Sequence, residues 1–186
     1  EQCRISFVIP FGRPVPPSPE TSAALEAELA ERGIEFIPGR RVAALRSDDR
    51  VAVLDDESEL PFDLFLGVPK HRAPEVVIAA GITEDGYVPV DFATLETKFP
   101  GVYAVGDVAT AGVPKAGVFA EGAGRIVAQA LIARFLGGKE PGPHLGQGTC
   151  YIEFGGGRVG GVEIDFLSGP ERTGTFRAPS AEMVAE

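Results

Sequence analysis

The chain has 186 residues, of which 44% are hydrophobic, and 27 acids against 17 Lys and Arg give a formal net charge of −10. That charge argues against nucleic acid and anionic membrane surfaces as partners, and no apolar run approaches the ~20 residues of a membrane-spanning helix. Two cysteines, Cys3 and Cys150, do not make a disulfide framework, and the length suits one domain or two partial ones.

The first stretch, residues 1–68, opens on a short apolar strand over 5–9 and a proline-rich loop to Pro17. Ser18 is a natural N-cap with Pro19 at the first helical position. The helix is expected to run to Arg32, with Ala24, Leu25, Leu29 and Ala30 on one face and Gly33 ending it. A strand over 34–37 follows, then a hairpin from 42–45 and 51–54 around Ser47-Asp48-Asp49.

The second stretch, 69–140, predicts a short helix over 74–80 and strands over 87–90 and 102–105. A long helix over 116–136 carries apolar Phe119, Ala123, Ile126, Val127, Ala130 and Leu131 at helical spacing, and Gly137-Gly138 stops it. In the third stretch, 141–186, residues 150–154 and 159–166 predict strands. The tail from Ser168 is polar, and a frayed helix or disorder is expected there.

The most informative segment is Thr97-Lys98-Phe99-Pro100-Gly101-Val102-Tyr103-Ala104-Val105-Gly106-Asp107. An apolar strand running into Gly106-Asp107 places an acid at the carboxyl end of a buried strand, where open α/β sheets hold ligands. Gly106 permits close approach to the backbone, and Asp107 can accept hydrogen bonds from ligand hydroxyls. Downstream, Pro114-Lys115-Ala116-Gly117 opens the long helix. A carbonyl or anion facing that helix start would meet unpaired N–H groups and the favourable end of the dipole.

Together these residues resemble the second flavin-binding motif of the FAD-dependent pyridine nucleotide-disulfide oxidoreductases. The resemblance continues through Phe62-Asp63-Leu64-Phe65-Leu66-Gly67-Val68-Pro69 and His71-Arg72-Ala73-Pro74. Gly146-Gln147-Gly148-Thr149-Cys150-Tyr151 with Glu153 and Gly155 is similar to the sulfide:quinone reductase and flavocytochrome c sulfide dehydrogenase branch. The family opens on a Gly-x-Gly-x-x-Gly turn that cradles the FAD pyrophosphate between a strand and a helix. No such element is read here: the dense glycine run Gly155-Gly156-Gly157-Arg158-Val159-Gly160-Gly161 is followed by a strand-like segment and not a helix, so it is not a phosphate loop.

The expected fold is therefore α/β: a partial FAD/NAD(P)-binding Rossmann-like fold, the C-terminal half of a flavoprotein with two dinucleotide-binding domains. Residues 1–68 would belong to the NAD(P)H-binding-like domain, 69–140 to the FAD-binding domain, and 141–186 to C-terminal strands and a polar tail. The resemblance implies FAD as cofactor, with NAD(P)H as a second nucleotide. Gly106, Asp107, Lys115, Ala116 and Gly117 would bind the cofactor, and Cys150 and Lys115 would be catalytic. Cys150 would be one half of a redox pair whose other thiol lies outside this chain. Cys3 is read as structural, and Glu121, His71 and His144 as surface or packing residues. No metal spacing is present.

The implied reaction passes electrons from NAD(P)H or a sulfur donor to a quinone or similar acceptor. A type II NADH dehydrogenase or ferredoxin reductase-like flavoprotein is the alternative enzyme, and a non-catalytic interaction or oligomerisation module the alternative of another class. The N-terminal half of the same enzyme is an expected partner, and the chain alone is expected to self-associate and to be inactive. A cytoplasmic or membrane-peripheral location is expected, with export left open by the expected upstream segment.

Overall fold

The computed structural model describes residues 3–185. They form two compact units. One takes residues up to Pro69, Glu153–Gly160 and residues from Thr175 onward; the other takes Lys70–Ile152 and Gly161–Gly174.

The first unit begins with β1 (Ser6–Ile9), α1 (Pro19–Glu31) and β2 (Glu35–Pro38), and β1 pairs with β2 in parallel. The local chemistry explains the crossover. Ser18 caps α1 by accepting from the Thr21 N–H at 3.4 Å, while its hydroxyl meets that of Thr21 at 2.7 Å. One turn further, the Ser22 hydroxyl donates to the Val15 carbonyl and accepts from the Val15 N–H, pinning the proline-rich loop to the helix start. Gly33 at φ 65° turns the chain out of the helix. Phe7 then stacks on Phe36 across the parallel pair at 5.9 Å.

The expected hairpin is present as β3 (Val42–Arg46) and β4 (Val51–Leu54), antiparallel, with Ala52 and Leu54 buried. A third strand, β5 (Glu59–Pro61), pairs antiparallel with β4. At three residues it is too short to show a period of two in the sequence.

In the second unit, α2 (Glu75–Ala79) is followed by β6 (Val88–Pro89), a 3-10 turn at Gly106–Val108, β7 (Ala109–Thr110) and α3 (Gly117–Leu136). β6 and β7 pair in parallel, Val88 against Ala109. Leu95, Ala109, Ala111 and Ala123 are buried together, with Val90, Ala104, Val105, Ile126 and Val127 packed around them. Leu95 has no exposed surface and holds a φ of 61°, a conformation disfavoured for a side chain of its size. The Asp91 carboxylate braces that turn, accepting from the Ala93 and Thr94 N–H groups and the Thr94 hydroxyl.

The strand expected over 102–105 is corrected. Val105 is extended (φ −135°, ψ 159°), but Tyr103 makes only an isolated antiparallel bridge to Glu96. A strand exists through its partners, and the hydrogen bonds of this segment go to the preceding loop. The Val102 carbonyl accepts from Thr97 N, and Ala104 N donates to the Leu95 carbonyl. The apolar run is therefore unladdered: Ala104 and Val105 are half-buried against the core, while Val102 is exposed.

The C-terminal region holds β8 (Gln147–Gly155), β9 (Arg158–Asp165) and β10 (Thr173–Ser180), in the order β10-β9-β8. Gly155, Gly156 and Gly157, all at positive φ, make the tight turn between β8 and β9, so the glycine run is a hairpin. Its tip is tied to α1 within the first unit. Arg32 Nη2 donates to the Phe154 carbonyl, and Glu28 pairs with both Arg32 and Arg158. The expectation of a frayed helix or disorder after Ser168 is corrected by β10. Its residues alternate between exposed and half-buried over Thr173 to Phe176, and the edge of β9 supplies the ladder that makes a polar segment a strand. No helix of the described residues is long and apolar enough to cross a membrane.

Candidate functional site

The site is built where the 3-10 turn meets the start of α3, both in the second unit. Gly106, at φ 73°, lets the chain turn there, and a Cβ at this position would stand 3.5 Å from the Ala120 Cβ. The next residue, Asp107, is exposed. Its carboxylate has no hydrogen bond or ion pair among the described residues, so both oxygens are available as acceptors.

α3 begins at Gly117 with Ala116 as an extended N-cap that offers no side-chain acceptor. Phe119 N and Ala120 N both bond the Ala116 carbonyl. The Gly117 and Val118 N–H groups therefore have no partner inside the helix. A shallow open cleft lies between this helix start and the turn, lined by Gly106, Asp107, Pro114, Lys115, Ala116 and Phe119 among others.

Of the sequence-expected cofactor residues, Gly106, Asp107, Lys115 and Ala116 line this cleft, and Gly117 is the first residue of α3. Lys115 is oriented differently from the expectation of a charge free to face a ligand. Its Nζ donates to the Asp107 carbonyl at 2.5 Å and to the Ala109 carbonyl at 3.3 Å, and it stands 3.8 Å from the centre of the Tyr87 ring. Tyr87 was not singled out in the sequence. The available signal was an aromatic residue one position before the strand that pairs with β7.

Cys150 lies in β8 and is half-buried; burial raises its thiol pKa from the ordinary value of 9.0. Gly148, two residues earlier on the same face, runs so close to α3 that a Cβ there would meet the Val118 Cγ2 at 2.8 Å. Cys150 thus shares the strand face that meets the start of α3, but as a protonated thiol at neutral pH. His144, expected at the surface or in packing, is buried with 6% exposure. Its backbone N–H donates to the Ala93 carbonyl at 2.8 Å, and its ring Nδ1 has no hydrogen-bond partner among the described residues. Burial pushes its pKa down, partly opposed by a hydrogen bond to the Phe92 backbone.

This acceptor and these donors suit one part of a flavin dinucleotide. A free carboxylate matches a polyol chain, and unpaired N–H groups at a helix start match a carbonyl edge that gains negative charge.

The family model for pyridine nucleotide-disulphide oxidoreductases matches residues 5–131, which include this whole turn and most of α3. The chain belongs to the pyridine nucleotide-disulphide oxidoreductase family. Within this family it is 30% identical over 162 residues to the mitochondrial sulfide:quinone oxidoreductase of Schizosaccharomyces pombe, covering 80% of this chain and 34% of the relative. The sulfide:quinone oxidoreductase structure from Aquifex aeolicus superimposes with a TM-score of 0.79 over 97% of this chain and 46% of that one, at 20% identity. The ferredoxin reductase of the CYP199A2 system from Rhodopseudomonas palustris does so with a TM-score of 0.61 over 87% and 42%, at 25% identity. The expected α/β, partial Rossmann-like flavoprotein fold is thereby established. The chain spans about a third of the length of the curated relative and under half of these solved structures.

Proposed function

We propose that this chain supplies the flavin-and-ribitol side of the FAD site in an oxidoreductase that moves electrons from NAD(P)H or a sulfur donor to a quinone or similar acceptor. The observation that carries the reading is the pairing of an exposed, unpartnered Asp107 with the uncapped start of α3 across one small cleft. Bound FAD would supply the two-electron chemistry. Asp107 would accept from the ribitol hydroxyls. The Gly117 and Val118 N–H groups would face the flavin edge that becomes negative on reduction, helped by the helix dipole. Such an end-of-helix interaction contributes roughly 0.3–1 kcal/mol when exposed and up to ~2 kcal/mol when partly buried. Cys150, on the β8 face that meets the same helix start, is the candidate thiol for the sulfur side.

FAD titration by calorimetry tests the reading. The 186-residue chain is expected to bind FAD weakly, because its glycine run forms a hairpin and offers no phosphate cradle. Asp107→Ala should weaken binding further. Losing a hydrogen bond to a charged group costs ~1.5–3 kcal/mol, about tenfold or more in affinity. Equal dissociation constants for the two proteins would remove Asp107 from the site. A ferredoxin reductase-like activity is the second reading, favoured by the fold match to the Rhodopseudomonas palustris enzyme. In the whole enzyme it predicts that Cys150→Ser leaves every turnover unchanged, whereas the sulfur-donor reading predicts loss of sulfide-dependent turnover with NAD(P)H oxidation retained.

A further inference from the structure

An ammonium group has three N–H donors. Those of Lys115 are directed at two backbone carbonyls, Asp107 and Ala109, and at the face of the Tyr87 ring. The two carbonyls flank the residue that follows Asp107, so Lys115 grips the 3-10 turn from both sides. Tyr87 is itself fixed at both ends. Its hydroxyl donates to the His71 carbonyl at 2.8 Å, and its neighbour Val88 pairs in parallel with Ala109. Electron-rich ring faces hold cations in this geometry, and the aromatic face has no hydrogen bond to offer that would pull the lysine off its carbonyls. With its donors engaged, Lys115 has none left for a ligand and acts on a bound group through position and field.

We propose that Tyr87 is a positioning residue for Asp107: by seating Lys115, it holds the Gly106–Val108 turn in the conformation that presents the Asp107 carboxylate to the flavin. This rests on the flavin reading above and adds to it the device that orients the acid. The Asp107 side chain makes no hydrogen bond or ion pair among the described residues, so its direction depends on the backbone that carries it. That backbone is held by the Ala109 N–H bond to the Gly106 carbonyl and by Lys115.

The test uses the 186-residue chain, with amide hydrogen exchange over residues 103–112 and FAD titration as separate readouts. Lys115 is exposed, so Lys115→Met should fold with the parent's far-UV circular dichroism spectrum. Exchange at the Ala109 amide should rise at least tenfold in both Lys115→Met and Tyr87→Leu. It should stay within about threefold of the parent in Tyr87→Phe, which keeps the ring face. FAD binding should weaken at least fivefold in the first two variants, and the double variant should be no weaker than Lys115→Met alone, as expected of residues acting through one another. Unchanged exchange in both variants would overturn the proposal, as would Tyr87→Phe behaving like Tyr87→Leu. So would loosened turns that bind FAD normally while Asp107→Ala does not. If the turn loosens but Asp107→Ala leaves FAD affinity unchanged, the clamp stands and the flavin reading falls.

Discussion

Burial sets the chemistry of Cys150 and His144. The Cys150 thiol is half-buried and its pKa is raised by desolvation, whereas Cys3 is exposed. The thiolate is the attacking species. Iodoacetamide at pH 8 should therefore modify Cys3 well before Cys150, and the Cys150 rate should keep rising beyond pH 9. Peptide mass spectrometry against time measures both, and equal rates would mean that the thiol is not buried. His144 carries the opposite sign. Its folded pKa lies below the ordinary 6.5, so the folded state favours the neutral ring. The stability this gives is complete above pH 6.5 and is lost as the pH falls below it. The melting temperature of the parent should drop between pH 6.5 and 5 more steeply than that of His144→Phe. Parallel curves would show that the ring titrates as in water.

Elements here are held by contacts that single residues permit. Gly148 allows β8 to pass over the start of α3, because a Cβ would reach 2.8 Å from Val118 and 3.2 Å from Phe119. Gly148→Val should destabilise the protein by about 1–3 kcal/mol through overpacking, visible as a lower melting temperature, whereas Gly142, with open space around it, should accept Ala with little change. At the other end of the chain, Ser18 is fully buried and caps α1. Ser18→Ala should cost roughly 0.5–2 kcal/mol, read as a shift in urea midpoint. Asp165, at the end of β9, accepts from the Ser168 hydroxyl and from Gln147 Nε2, and its pKa is lowered to about 2. Its contribution is present above pH 3.8 and lost toward pH 2, so it tethers the β9 exit across the ordinary range.

For the whole molecule, the apolar surface is the distinctive feature. Ile132, Phe135 and Leu136 at the end of α3 are exposed, the last two by 73% and 81%, and Leu64, Leu66 and Val68 form a second exposed run. Monomers rarely leave large apolar groups clustered in water. The chain should therefore self-associate at micromolar concentration, and Phe135→Lys should weaken that association. Multi-angle light scattering decides this. A monodisperse mass of 19.5 kDa at all concentrations would overturn it.

The parts of this protein that were legible in its sequence are those set by local chemistry. Ser18-Pro19 and Gly33 bound α1, the alternation of residues 42–54 gives a hairpin, and the apolar spacing of α3 and its Gly137 stop are observed as expected. The family resemblance of the Gly106-Asp107 segment was equally local, because it resides in a short run of specific residues. What the tertiary structure decided depends on partners remote in sequence. Residues 102–105 are extended but unladdered, since their hydrogen bonds go to the 95–99 loop. The polar segment at 173–180 is a strand because β9 offers it an edge. Lys115 is a clamp because Tyr87, 28 positions earlier, is brought within 3.8 Å of it. Side-chain type is written residue by residue, but burial and donor partnership exist only once the chain has folded.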